Sequence, residues 1–263
     1  MRTRLVSVIC LLAIASPALA QQTAPDWDVH RDARQRLVMA YTAFDNGLAI
    51  SVRCRKNSYE AVVHGLPAAP EQPGTRAIGI SFGDDDQWMQ RWNVAIDRTV
   101  ALSEMPAPFA RKLRLGGRLQ LVLPDGAGPG RNLRYDLTLP TSAAAIDETL
   151  TACARPLTDP RDIEREALSE GGLPVDLTWG RRPSVQYPAN RYARGFALVT
   201  CLTSPNGALR DCTVESEHPA DGEFGDAALR AARRATVRRT DGTDAPIPVR
   251  LVQFRTNFVV PGF

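Results

Sequence analysis

The residue types that most often carry out catalysis are present, but their spacing assembles no catalytic site. The three histidines, His30, His64 and His218, are far apart and match neither H-x-x-x-H nor H-E-x-x-H. No G-x-S-x-G nucleophile turn and no phosphate-binding loop occurs in the sequence. The sequence therefore predicts that the protein is not an enzyme and that it holds neither a cofactor nor a metal ion.

Three other features could bind a ligand, and each has a simpler interpretation. The consecutive aspartates at 84–86 differ from calcium loops, whose acids alternate with other residues, so we predict a solvated turn. The run DGAGPG at 125–130 lies between two predicted strands and indicates a hairpin loop. The tryptophans could mark a surface for sugars or peptides, although packing in a core is more common. They are Trp27, Trp88, Trp92 and Trp179.

Cysteine positions favour disulfide chemistry. Apart from Cys10, which lies in the N-terminal apolar run, four cysteines remain, and none has the C-x2-C spacing of a metal site. An even number of cysteines in an exported chain favours disulfides over free thiols. Their positions along the chain pair Cys54 with Cys153 and Cys201 with Cys212.

The first 20 residues predict export to the periplasm. Arg2 and Arg4 form a basic start, 5–14 is an apolar core, and 18–20 (Ala-Leu-Ala) is a small-x-small cleavage motif. The apolar stretch is shorter than the about 20 residues that a membrane-spanning helix needs. We therefore expect cleavage after Ala20 and no membrane span in the mature chain; a retained short anchor is the alternative.

Cleavage would leave a nearly neutral chain. The whole sequence carries a formal net charge of +3, and loss of Arg2 and Arg4 reduces it to +1. Such a charge gives no electrostatic basis for binding nucleic acid. The remaining length, 263 minus 20 residues, is enough for one sizeable core or two smaller ones.

Hydrophobic periodicity predicts an α+β protein with two domains. We expect an N-terminal, β-rich antiparallel domain over 27–154, with strands in short alternating runs. These runs are 47–54, 59–63, 77–82, 92–96, 119–123 and 133–139. Two short helices are predicted over 108–115 and 142–153, the second capped by Ser142. The proline- and glycine-rich segment 155–180 indicates a partly ordered linker, in which the charged run 162–169 could form one or two helical turns.

The remaining segment, 181–263, predicts a β-hairpin, a helix and a closing strand in an antiparallel sheet. A two-residue turn at Asn206-Gly207 would place Cys201 opposite Cys212, and we favour that register. Pro205 also fits a bulged three-residue loop, which would shift the register by one and separate the sulfurs. A helix beginning near Phe224 would pack its alanine-rich side on the sheet.

The closing strand, 250–260, provides the candidate binding site. Its large apolar residues alternate on one face, as in a half-buried strand. If the strand lies at a sheet edge, its unpaired N–H and C=O groups can accept a strand from another polypeptide. The candidate partner-binding residues are Arg250, Val252, Phe254, Thr256, Phe258 and Val260.

The order and spacing of this second half resemble the C-terminal domain of the TonB family of energy transducers, over about 181–260. The matching positions are Tyr187-Pro188, Gly195, Gly207, Asp226 to Leu229, Gly242, Pro248-Val249 and the closing aromatic strand. The resemblance implies a periplasmic, non-enzymatic module that binds an extended segment of an envelope or outer-membrane protein by strand addition. Energy transducers carry an uncleaved anchor and a long proline-rich spacer, whereas this sequence has a cleavable signal and a folded domain.

Two alternative functions fit the same sequence features. One is an anchored TonB-type energy transducer for outer-membrane transport, and the other is an envelope-structural or carbohydrate-binding protein. The first half resembles, only loosely, small periplasmic domains of the invasion-associated locus B and type VI secretion accessory kind. That resemblance rests on a cysteine at a strand end, an aromatic-rich middle, a Pro-Phe helix and a closing helix that ends in Cys153. It indicates a compartment and a fold and implies no function.

Overall fold

The computed structural model describes residues 26–71, 74–169, 171–189 and 192–259. The predicted signal segment, 1–20, and the candidate residue Val260 lie outside the described residues. Within them, antiparallel strands dominate and four short helices occur, which confirms the coarse α+β, β-rich fold class. No helix of the described residues is long and apolar enough to cross a membrane.

The first half forms one nine-stranded antiparallel sheet, with strand order β1-β2-β3-β4-β7-β6-β5-β8-β9. Its strands are β1 (Asp28–Asp32), β2 (Leu37–Ala43), β3 (Ala49–Arg55), β4 (Ser58–His64), β5 (Thr75–Phe82), β6 (Trp88–Val94), β7 (Ala101–Ser103), β8 (Gly117–Leu123) and β9 (Leu133–Leu139). Helix α1 (Pro106–Leu113) follows β7, and α2 (Ala144–Ala152) follows β9. The run 125–130 forms the β8–β9 hairpin loop, as predicted.

A single hydrophobic core joins the sheet to both helices. Alternate residues of each strand point into it, for example Ile50 and Val52 of β3 and Leu119 and Leu121 of β8. The predicted cap of α2 is wrong, because the helix begins at Ala144 and no side chain caps it. A disulfide between Cys54 and Cys153 ties β3 to the end of that helix.

The second half contains a three-stranded antiparallel sheet in the order β12-β11-β14. Its strands are β11 (Arg194–Thr203), β12 (Leu209–His218) and β14 (Leu251–Val259). Helix α4 (Phe224–Ala232) packs on one face of this sheet, beside a two-stranded pair of β10 (Leu177–Arg181) and β13 (Thr236–Arg239). The centroids of the phenyl rings of Phe224 and Phe258 lie 4.6 Å apart in the core between the helix and the sheet.

The hairpin differs from the two-residue turn that the sequence favoured. Ser204 pairs with Ala208 across a three-residue loop, in which Gly207 adopts a φ of +79°. Pro205 has no N–H to donate, so it lies in the loop and not in the ladder. A bulge at Asp211, with φ of 49°, then shifts the register back. The disulfide between Cys201 and Cys212 therefore forms in spite of the longer loop.

The described part of the segment 155–180, predicted as a partly ordered linker, contains a helix close to the predicted turns and also a strand. It contains α3 (Arg161–Glu166) and β10, which pairs with β13. Arg111 of α1 donates hydrogen bonds of 2.6 and 2.7 Å to the carboxylate of Asp162, and these bonds fix α3 to the first half. The prolines and glycines of this segment bend the chain between these elements instead of leaving it extended.

The two halves are joined through buried polar contacts. The hydroxyl of Ser216 donates to the backbone oxygen of Glu104 over 2.7 Å, and Arg155 donates to the backbone oxygen of Val214 over 2.6 Å. The face of the three-stranded sheet that turns away from α4 is therefore covered by the first half.

Candidate functional site

Strand β14 is an edge strand, because it pairs with β11 and with no other strand of the described residues. In an antiparallel pair, successive residues direct their N–H and C=O groups alternately toward and away from the neighbour. The N–H groups of Leu251 and Gln253 bond away from β11, so the odd-numbered residues of β14 face outward. The outward backbone groups are the ones that a partner strand could reach.

The first part of this edge is covered. The N–H of Leu251 donates to the carboxylate of Glu164 over 3.2 Å, and the N–H of Gln253 donates to the backbone oxygen of Gly172 over 2.7 Å. The approach of Gly172 requires glycine, since a Cβ there would lie 2.2 Å from the Gln253 oxygen and φ is +74°. We call the covering segment, Ser169 and 171–173, the edge strap.

The second part of the edge is open. Arg255, Asn257 and Val259 continue the outward alternation, and among the described residues no backbone hydrogen bond reaches their outward groups. We call residues 255–259 the open edge. An unpaired ladder of this length can accept two or three main-chain hydrogen bonds from an added strand.

The predicted partner-binding residues have a different role in the structure. Val252, Phe254 and Phe258 are buried in the core beneath the sheet, Thr256 is half-buried, and Arg250 precedes the strand and pairs with Asp176 at 3.4 Å. These even-numbered residues direct their backbone groups toward β11. The sequence alternation correctly identified the core face, and the intervening residues are the ones whose backbone groups point away from β11.

A cleft of about 780 Å³ lies beside the open edge, between the two halves. One wall comes from β5 and β6, a second from α1, a third from α3 and the edge strap, and the last from β11 and β14. The residues of β14 that line it are Gln253, Phe254 and Arg255. The cleft therefore runs along the edge strap and reaches the open edge at Arg255.

Trp88 forms the aromatic wall of this cleft. Its indole stacks on the ring of Phe82 with centroids 6.0 Å apart, and the ammonium of Lys112 lies 5.8 Å from the indole centroid. Met89, the next residue of β6, is half exposed and lines the cleft from the opposite face of the strand. The remaining tryptophans pack elsewhere: Trp27 and Trp92 are in the core, and Trp179 contacts Phe254.

Glu104 and Arg255 form the charged floor of the cleft. The guanidinium Nε of Arg255 lies 2.7 Å from a carboxylate oxygen of Glu104, and its Nη2 donates to the side-chain oxygen of Asn93 over 2.7 Å. Burial raises the pKa of Glu104, and the positive charges of Arg255 and Arg91 oppose that rise. Burial lowers the pKa of Arg255 while Glu104 raises it. The pair holds β14 against the first half.

A second buried pair stabilises the wall formed by α3. A guanidinium nitrogen of Arg165 donates to Glu215 over 2.7 Å, and the hydroxyl of Thr200 donates to the same carboxylate. Another nitrogen of Arg165 donates to Asp162 over 2.5 Å. Sequence patterns did not identify the contact between Arg165 and Glu215, because these residues lie 50 positions apart along the chain.

The residues considered for catalysis or metal binding stay apart. The Nε2 atom of His64 lies 3.2 Å from the Ser51 hydroxyl, His218 lies 3.7 Å from Glu60, and His30 is exposed on β1. The aspartates at 84–86 occupy an exposed turn after β5. No group of three or more His, Cys, Asp or Glu residues among the described residues is arranged to hold a metal ion.

Comparison with known proteins adds no assignment. No protein-family model matches the chain, and no curated protein is significantly similar to it.

Proposed function

We propose that this protein binds an extended segment of another cell-envelope protein, which adds as a strand to the open edge of β14. The observation that carries the proposal is the row of outward backbone groups at Arg255, Asn257 and Val259, which no described residue pairs. Main-chain hydrogen bonds would supply the affinity, and neighbouring side chains would supply selectivity.

The surroundings of the edge support this mode of binding. A peptide added beside Arg255 enters a concave cleft, and concave sites bury more ligand surface than flat ones. The buried pair between Arg255 and Glu104 keeps β14 in place, so the edge is already formed before a ligand arrives. Binding then costs little ordering of the protein.

Export supports an envelope partner. The basic and apolar start of the sequence is typical of a signal peptide, and both disulfides suit an oxidising compartment. The resemblance of 181–260 to the TonB C-terminal domain favours a segment of an outer-membrane protein as ligand. The protein is proposed as a binding module with no catalytic role.

The proposal can be tested with a labelled peptide of about ten alternating threonine and valine residues, a typical strand length. Asn257→Pro removes one outward N–H but leaves the ladder with β11 intact, since proline is tolerated where a strand N–H faces solvent. We expect the peptide to bind the wild type about tenfold more tightly than this variant, as judged by fluorescence anisotropy.

Asn257→Ala is the matched control, because it removes the same side chain and keeps the N–H. It should bind like the wild type. Amide hydrogen exchange provides the second readout: bound peptide should slow exchange at Arg255 and Asn257. If the peptide binds without slowing exchange there, strand addition at this edge is rejected and a side-chain mode such as carbohydrate binding gains support.

A further inference from the structure

The cleft beside the open edge carries more positive than negative charge. Its lining contains five basic side chains and three acidic ones. They are Arg76, Arg91, Lys112, Arg165 and Arg255, against Glu104, Asp162 and Glu166. A cleft whose lining has more basic than acidic side chains attracts negatively charged ligands.

All but one of these cations have a partner. Arg165 pairs with Asp162, Lys112 lies 3.4 Å from Glu166, and Arg76 donates to the backbone oxygen of Pro67 over 2.8 Å. Arg255 pairs with Glu104. Arg91, by contrast, is exposed and forms no ion pair with any described residue.

Arg91 and Arg255 act electrostatically on one carboxylate. The charge of Arg91 opposes protonation of Glu104, and it also disfavours the charged form of Arg255. Two guanidinium groups thus share the single negative charge of Glu104, and one positive charge is left uncompensated. An incoming carboxylate near Arg91 would neutralise it without displacing an existing pair.

Strand geometry sets where such a carboxylate would lie. Residues directly opposite each other in an antiparallel pair share a face of the sheet, so a side chain opposite Arg255 points toward the first half. The next side chain on that face lies two residues along the added strand. Arg91 and Met89 lie two residues apart on one face of β6 and both line the cleft, whereas Trp88 lines it from the opposite face of the strand.

We propose that the cleft selects extended segments that carry an acidic side chain and a large apolar or aromatic one on the same face, two residues apart. The acid pairs with Arg91, and the apolar group packs against Met89. This inference rests on the proposed function, since it requires a strand at the open edge.

Three synthetic peptides test the charge requirement. Each is an alternating threonine and valine strand of about ten residues with a phenylalanine near its centre, and a glutamate, glutamine or lysine two positions before it. The wild-type protein should bind the glutamate peptide about fivefold more tightly than the glutamine peptide, and the lysine peptide most weakly.

Arg91→Glu should reverse this order, so that the lysine peptide binds best. Arg34→Glu makes the same charge change in the exposed turn between β1 and β2, away from the cleft, and should keep the wild-type order. Met89→Ser should weaken all three peptides about equally, because it removes apolar contact and leaves the charge unchanged.

The outcomes separate this inference from the proposed function. Equal binding of the three peptides, with slowed exchange at Arg255 and Asn257, overturns the charge selection and leaves strand addition standing. An unchanged order in Arg91→Glu also overturns it. If no peptide binds the wild type, both the selection and the proposed function are rejected.

Discussion

The backbone oxygen of Gly172 accepts a 2.7 Å hydrogen bond from the N–H of Gln253, and this bond divides β14 into a covered and an open part. The strap that supplies Gly172 is held by its own turn, in which Ser169 donates to the backbone oxygen of Leu173 over 2.7 Å. Leu173 is buried in the core of the second half. The strap occupies the backbone position that a longer partner strand would use.

Gly172→Ala should loosen the strap and lengthen the open edge. A Cβ at this position would clash with the Gln253 oxygen, and alanine disfavours the positive φ. We expect the free energy of unfolding to fall by about 1–2 kcal/mol. The alternating threonine–valine peptide should bind about fivefold more tightly, because one further main-chain hydrogen bond becomes available.

Gly171→Ala is the control for this change. A Cβ on Gly171 would meet only the Ser169 hydroxyl oxygen at 3.7 Å, which is an ordinary contact. Stability and peptide affinity should therefore stay close to those of the wild type in urea unfolding and anisotropy. If Gly172→Ala binds the peptide no better than Gly171→Ala, the strap does not compete for the edge.

The sequence predicted local features of the fold better than it predicted the connections between them. Strands β3, β4, β5, β8 and β9 follow clear alternation and were found close to their predicted bounds. The predicted two-residue turn was wrong, and the predicted register holds only beyond the bulge at Asp211, which has no strong sequence signal because aspartate only moderately favours a positive φ. Helix α3 is held in place by the hydrogen bonds between Asp162 and Arg111. Arg111 lies 51 positions earlier in the chain, so no local sequence pattern indicates this contact.

Removal of the two disulfides should have unequal effects on stability. The bond between Cys54 and Cys153 spans 99 residues, and that between Cys201 and Cys212 spans 11. In the chain-entropy model a loop of the first length contributes about 4–5 kcal/mol and one of the second about 3 kcal/mol. Paired alanine substitutions at each bond, compared by urea unfolding, should show the larger loss for the first pair. Equal losses, or the reverse order, would contradict the entropic account.

Asp159 should make stability sensitive to acid. Burial alone would raise its pKa, but hydrogen bonds and charge from Arg161, with a contribution from Arg165, lower the pKa to about 2 from 3.8. The folded protein therefore binds fewer protons than the unfolded chain between these values. The stabilisation from ionised Asp159, on the order of 2 kcal/mol, is complete above pH 4 and is lost as the pH falls toward 2.

Asp159→Asn should therefore lower the free energy of unfolding at pH 6, and its difference from the wild type should shrink as the pH falls toward 2. Asp241→Asn is the comparison, because hydrogen bonds from Arg239 also lower the pKa of Asp241 to about 2, at an exposed position. Salt should screen the effect of Asp241 and leave that of buried Asp159 largely intact. A pH-independent difference for Asp159→Asn would show that its ion pairs do not stabilise the folded state.

The candidate site shows where sequence analysis reached its limit. The apolar alternation of β14 correctly identified the strand, yet it pointed to the buried residues and not to the outward amides of Arg255 and Asn257. The cleft is formed by segments as distant as Trp88, Glu104 and Gln253, and no spacing along the chain encodes their approach. Only the packing of the two halves brings them together.

The pair of Glu104 and Arg255 should couple the two halves in a pH-dependent way. Arg255→Met leaves Glu104 buried without its cation, which should lower the free energy of unfolding by about 3 kcal/mol at pH 7. Burial already raises the pKa of Glu104, and loss of Arg255 should raise it further. The folded variant then binds more protons than its unfolded chain, so its stability should fall as the pH rises above the ordinary glutamate value of 4.5.

In the double variant Glu104→Gln with Arg255→Met, that pH dependence should disappear and much of the stability should return. Urea unfolding of the wild type, both single variants and the double variant between pH 4 and 8 measures the coupling, and additive effects would mean that this contact does not hold β14 against the first half.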